Sequence, residues 1–185
     1  VDGDDRLRLF LALRLPPSVL DTLQAWTAAE LRGGRMGVSR TVPREHLHVT
    51  LAFLGSRPAP ELEPIVSELR GAAARARPME LEVVRWRETR SVGMLVLDDA
   101  GGAAGALASD LHERLERLGV YRREQRPWLP HVTMLRFRER PRLRPSLPDL
   151  GAFAPSDAAA FLSRLHPSGA RYEVLESSAL GGVKG

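Results

Sequence analysis

Two tetrapeptides carry the groups best able to do chemistry, His48-Val49-Thr50-Leu51 and His131-Val132-Thr133-Met134. In an extended strand residues i and i+2 share a face, so each imidazole stands beside a hydroxyl while Val49, Leu51, Val132 and Met134 anchor the other face in a core. Composition alone predicts about 0.16 His-x-Thr occurrences in this chain, so two of them mark a pattern. An unperturbed imidazole pKa of about 6.5 lets one ring be neutral while its partner is protonated near neutral pH. Phosphodiester cleavage needs that pairing: one ring takes a proton from attacking water and the other gives one to the departing ribose oxygen. Hydroxyls and arginines then stabilise the oxygens that gain charge. A strained cyclic phosphate is the easiest such substrate and does not strictly require a metal.

The remaining candidates read differently. The chain has no cysteine, which excludes a disulfide framework, a thiolate nucleophile and cysteine-ligated metal. His46 lies two residues before His48 and would share its face, but a zinc site needs three or four protein ligands and no third histidine is suitably spaced. No metal or cofactor is expected. His112, on an expected helix, and His166, at a turn, read as solvated or capping residues. Gly101-Gly102 and Gly181-Gly182 read as breakers or a loose tail, since neither belongs to a Gly-rich loop that follows a strand and carries a lysine.

The elements that must position the two histidines follow from periodicity. Arg6 to Leu15 alternates, with Leu7, Leu9, Leu11, Leu13 and Leu15 on one face and Arg6, Arg8, Phe10, Ala12 and Arg14 on the other. Pro16-Pro17 stops this strand, and Ser18 with Asp21 resembles a capping box opening a helix with the stripe Val19, Leu20, Leu23, Trp26 and Leu31, ended by Gly33-Gly34. Leu47 to Leu54 is a strand, with Leu47, Val49, Leu51 and Phe53 on one face and His48, Thr50, Ala52 and Leu54 on the other. A helix follows near Glu61 to Ala74 with Pro64 in its first turn. Strands are expected at about Met79 to Trp86 and Val92 to Leu97, then a helix carrying Leu107, Leu111, Leu115 and Leu118 with Gly119 as its stop, then the strand His131 to Arg138. A proline-rich connection from Pro141 to Pro155 leads to a hairpin, Ala158 to Leu165 and Arg171 to Glu176, around Pro167-Ser168-Gly169. From the end of the leading strand to the motif histidine the separation is 33 residues in the first half and 34 in the second. Matched spacing predicts two similar lobes related by an approximate two-fold axis, with a cleft between them.

At 185 residues, 43% hydrophobic and 27% charged, the chain suits one globular domain spanning residues 1–185. No run approaches the 18 or so apolar residues of a membrane helix, so no membrane association and a cytoplasmic location are expected. The net charge is +4, and Lys184 is the one lysine, so the positive charge is almost all guanidinium, which suits phosphate.

The paired motifs, Arg8-Leu9-Phe10-Leu11-Ala12-Leu13 and His46-Leu47-His48-Val49-Thr50-Leu51-Ala52-Phe53-Leu54-Gly55 resemble the two-histidine phosphoesterase superfamily. More narrowly the chain is similar to the RNA 2′,3′-cyclic phosphodiesterases, also called 2′-5′ RNA ligases. The resemblance implies a bilobal α+β fold with antiparallel sheets lining a central cleft and helices outside. It implies hydrolysis of an RNA or oligonucleotide 2′,3′-cyclic phosphate end to a 2′-phosphomonoester, with His48 as proton donor and His131 as proton acceptor; a monomer is expected. Thr50 and Thr133 match the family's phosphate-binding hydroxyls. Arg136 matches an arginine of the second motif, although strict alternation from His131 sends it to the opposite face, so a twist or bulge must bring it round. Phe10 and Tyr172 could stack a base, but strand aromatics more often belong to core or rim. Ligation in the reverse direction uses the same two proton transfers, and a nucleotide- or RNA-binding module would use the same cleft.

Overall fold

In the computed structural model, residues 5–31 and 39–181 are described. They form β1 (Arg6–Arg14), α1 (Pro17–Glu30), β2 (Ser39–Thr41), β3 (His48–Pro58), α2 (Leu62–Ala74), β4 (Glu82–Glu88), β5 (Val92–Asp98), α3 (Ala103–Arg117), β6 (His131–Phe137), β7 (Asp157–Arg164) and β8 (Arg171–Ser178). Two four-stranded antiparallel sheets run β3-β1-β7-β8 and β2-β6-β5-β4. The architecture is α+β. No described helix is long and apolar enough to cross a membrane.

The two halves exchange parts. The first sheet joins β1 and β3 to the late hairpin β7–β8, while the second borrows β2 from the first half to cover the edge of β6. Trp26 of α1 packs on Trp86 of β4, ring centroids 5.9 Å apart, so the helix of the first half reaches the second sheet. In the other direction α3 lies against β3 and α2. One continuous core runs from Leu9, Leu11 and Leu13 through Leu51, Leu69, Leu111 and Met134. The opposite face of β1 carries a separate small cluster, Phe10 and Ala12 with Ala159 and Phe161, that faces the cleft.

Several local expectations are corrected. Ser18 lies inside α1, which starts at Pro17 with Pro16 as N-cap and no side-chain cap bond. The Ser18 carbonyl accepts from the Thr22 hydroxyl at 3.0 Å, and Asp21 pairs with Arg44 at 2.7 Å, so the capping box does not form. The expected stop at Gly33-Gly34 lies outside the described residues, although α1 has already ended at Glu30. Asp99 caps α3, its carboxylate accepting from the Gly105 and Ala104 amides at 2.8 and 3.2 Å. Gly119 stops it in the left-handed region, at φ 77°. Gly181 is held rather than loose, its amide donating to the Ala73 carbonyl at the end of α2 at 3.0 Å, while Gly182 lies outside the described residues.

Strict alternation fails in both motif strands at the same place. In β3, Thr50 pairs with Ala12 and Ala52 with Leu11, leaving Leu51 as an extra residue; in β6, Thr133 pairs with Met94 and Leu135 with Gly93, leaving Met134 extra. Each motif therefore ends in a β-bulge, which resets the alternation by one. From the histidine onward, seven residues of each strand show one burial sequence, in which the histidine and threonine are partly buried, the sixth residue is exposed and the others are buried.

Candidate active site

The bulges decide which side chains reach the cleft. After Leu51 and Met134 the faces swap, so Ala52, Leu54 and Leu135 turn inward while Phe53 and Arg136 turn out beside the motif threonines. Phe53, expected in the core, is 51% exposed. A cavity of about 370 Å³ is lined from the first sheet by Arg8, Phe10, His48, Thr50, Phe53 and Tyr172, and from the second by Arg40, Thr133 and Arg136. The structure thus brings four of the five expected site residues, His48, Thr50, Thr133 and Arg136, to one cavity. His131 is partly buried, and β6 reaches that cavity through Thr133 and Arg136 rather than through the imidazole.

The two imidazoles are held alike. His48 Nδ1–H donates to the His46 carbonyl at 2.6 Å, and His131 Nδ1–H donates to the Leu129 carbonyl at 2.7 Å. Each histidine is thus anchored on the carbonyl two residues behind it, which places the proton of the neutral ring on Nδ1 and leaves Nε2 as its basic nitrogen. His48 Nε2 lies 2.9 Å from Thr50 Oγ1. His46 is not a strand neighbour pointing the same way. It ends a 3₁₀ turn, and its ring packs against Tyr172 at 4.3 Å between centroids.

His48 rests on an apolar floor. Its ring centroid is 5.0 Å from that of Phe10, which stacks on Phe161 at 4.8 Å with planes 3° apart. Phe10 is buried, so its role is to support the imidazole; Tyr172 is at the rim. Burial of the ring pushes His48 down to about 4, opposed by its bond to the His46 carbonyl and reinforced by positive charge on His131, Arg136 and His46. Burial also lowers His46, with Glu45 opposing and Arg40 reinforcing.

The cavity wall carries three guanidiniums, Arg8, Arg40 and Arg136, and no carboxylate. None of the three forms an ion pair among the described residues, whereas Arg14, Arg57 and Arg114 are all paired with acids. Arg8 lies over the Phe53 ring, 4.9 Å from its centroid. Periodicity had placed Arg8 beside Phe10 on one face of β1 but gave it no role; Arg40 follows an unpatterned loop, and Phe53 needed the bulge. No group of three His, Asp or Glu residues that could hold a metal ion occurs among the described residues.

His112 is not solvated. It is 5% exposed, and its Nε2–H donates to the Leu51 carbonyl at 2.7 Å. Burial lowers its pKa, with the Leu51 bond opposing. His166, by contrast, is exposed at the β7–β8 turn.

Comparison with known proteins agrees with this geometry. Residues 15–166 match the model of the 2′-5′ RNA ligase superfamily. An RNA 2′,3′-cyclic phosphodiesterase of Thermus thermophilus is 32% identical over 97% of this chain and 93% of that protein. One of Escherichia coli is 31% identical over 70% of this chain and 71% of that protein. Among solved structures, TT0787 of Thermus thermophilus superposes with a TM-score of 0.77 at 28% identity, covering 95% of this chain and 99% of that one. Escherichia coli LigT in its apo form superposes with a TM-score of 0.76 at 26% identity, covering 97% and 100%. With paired His-x-Thr strands meeting at one cleft and a family match over most of its length, the chain belongs to the 2′-5′ RNA ligase superfamily.

Proposed function

We propose that this protein hydrolyses RNA 2′,3′-cyclic phosphate ends to 2′-phosphomonoesters, with His48 as proton donor and His131 as proton acceptor and without a metal. The observation that carries this reading is the repeated imidazole setting, in which both Nδ1–H groups are tied to the carbonyl two residues back, on two strands that line one cavity through His48, Thr50, Thr133 and Arg136. The names of the two curated relatives support the substrate class.

In this mechanism His131 Nε2 takes a proton as water oxygen bonds to phosphorus. The P–O3′ bond breaks, and His48, entering as the imidazolium with its Nδ1–H kept on the His46 carbonyl, delivers its Nε2 proton to O3′, leaving a 3′-hydroxyl and a 2′-phosphate. Thr50, Thr133 and Arg136 hold the phosphoryl oxygens, whose charge grows in the transition state. Arg8 and Arg40 add positive potential at the same wall.

The test is an oligonucleotide ending in 2′,3′-cyclic phosphate, incubated with the protein in excess EDTA. The expected product is the 2′-phosphate at a rate unchanged by the chelator. A 3′-phosphate product, or loss of turnover restored by a divalent ion, would overturn the proposal.

A further inference from the structure

β3 carries His48 and Thr50 and is an edge strand, paired on one side only, with β1. Its free edge would leave carbonyls without partners where the Leu51 bulge interrupts the ladder. Two side chains from the other half of the molecule meet them. Trp128 Nε1–H donates to the Thr50 carbonyl at 3.0 Å, and His112 Nε2–H to the next one, that of Leu51, at 2.7 Å.

Trp128 is also three residues before His131. The intervening Leu129 carbonyl accepts His131 Nδ1–H, and the Pro130 carbonyl accepts the Leu97 amide of β5 at 2.9 Å. A single tetrapeptide, Trp128 to His131, therefore aims one histidine, is pinned to its own sheet, and grips the strand of the other histidine at the carbonyl of that strand's motif threonine. A hydrogen bond placed there fixes the offset between β3 and β6, and with it the offset between the two imidazoles.

We infer that Trp128 is a positioning residue that sets the separation of His48 and His131 across the cleft, with His112 as a second tie on the same bulge. This rests on the two-histidine reading above. Trp128 touches no reacting atom in it and acts through the geometry of the pair.

The decisive change removes only the N–H: Trp128→Phe, and benzothienylalanine in place of Trp128, which keeps the shape of indole. Two readouts are taken on protein whose thermal midpoint shows it folded at the assay temperature. The first is turnover of the cyclic-ended oligonucleotide. Misplacing a catalytic pair by about 1 Å can cost as much as 10²-fold, so kcat is expected to fall roughly 10- to 100-fold while KM changes less than about 3-fold. In a His131→Ala background, where the pair no longer exists, the same change should alter residual turnover less than about 2-fold.

The second readout needs no activity. In the parent protein His131→Ala should move the NMR titration midpoint of His48 upward, because positive charge on His131 disfavours the His48 cation. With the N–H removed, that response should shrink. Unchanged kcat together with an unchanged His48 response overturns the inference, as does a loss that multiplies fully in the His131→Ala background. If the parent protein fails to open the cyclic phosphate, the enzymatic reading falls, and the NMR response alone decides whether Trp128 sets the spacing. Should Trp128→Phe not fold, the benzothienylalanine protein gives both readouts.

Discussion

A proton donor whose pKa is pushed down to about 4 would reach neutral pH without its proton unless the substrate supplies what burial removes. Positive charge on His131, Arg136 and His46 depresses His48 further, and a phosphate anion bound in the adjoining cavity would offset it. Inorganic phosphate should therefore raise the His48 midpoint by roughly 1–3 pH units in an NMR titration, and Arg136→Ala should raise it without phosphate. No upward movement in either experiment would leave His48 unsuited to the donor role. On the proposed mechanism His48→Ala and His131→Ala should each lower kcat about 10²- to 10⁴-fold, and the double substitution should cost little more than either alone, as expected of two groups that share one step. Strand periodicity made His48, Thr50, His131 and Thr133 legible in the sequence, since a two-residue repeat needs no knowledge of neighbours. The same periodicity misplaced Phe53 and left Arg136 in doubt, because a bulge is fixed by pairing with another strand. Nothing near His112 in sequence indicated that its helix would lie under β3.

The bulges require compliance from the strands beside them. Gly93 of β5 pairs next to the Met134 bulge, and a Cβ there would meet Trp86 ring carbons at 2.4 and 2.5 Å, a close approach that only glycine allows. The Trp86 indole cannot easily retreat, because Trp26 of α1 lies against it. Gly93→Ala should therefore destabilise the protein by about 1–3 kcal/mol, read as a lower denaturant midpoint with an unchanged slope. A midpoint within experimental error of the parent would mean that the indole slides away freely. The helix starts show why local signals reached only part of this arrangement. Proline at the first position began α1 without any side-chain cap, so Ser18 and Asp21 were free for other bonds. The long helices and the β7–β8 hairpin were legible from apolar stripes and turn residues, but the pairings of β1 with β7 and of β2 with β6, which cross the halves, were not.

Across the whole molecule three buried or half-buried histidines set a direction for pH. His46, His48 and His112 all have folded pKa values below the ordinary 6.5, so below that pH the unfolded chain binds more protons than the folded one. Their contribution is fully present above about 6.5 and declines as pH falls toward about 4, the folded value of His48. Unfolding midpoints measured between pH 7 and 4 should fall accordingly, and His112→Gln should flatten part of that fall. The arginine wall sets the response to salt. With two or three phosphate contacts to a single strand, raising salt from 50 to 200 mM should increase KM for an oligonucleotide roughly 10-fold, and Arg136→Ala should reduce that dependence. The exchange of strands between halves also fixes an order in time. Arg14 of β1 is bonded to Asp157 of β7, 143 residues later. At synthesis rates of about 5–20 residues per second, the first strand emerges roughly 7–30 s before its central partner exists. All four strands of the sheet that carries His131 have by then been made. On the ribosome, the sheet that carries His131 can thus be complete while the one that carries His48 still awaits β7, and no nascent chain short of β7 holds both motif strands in finished sheets.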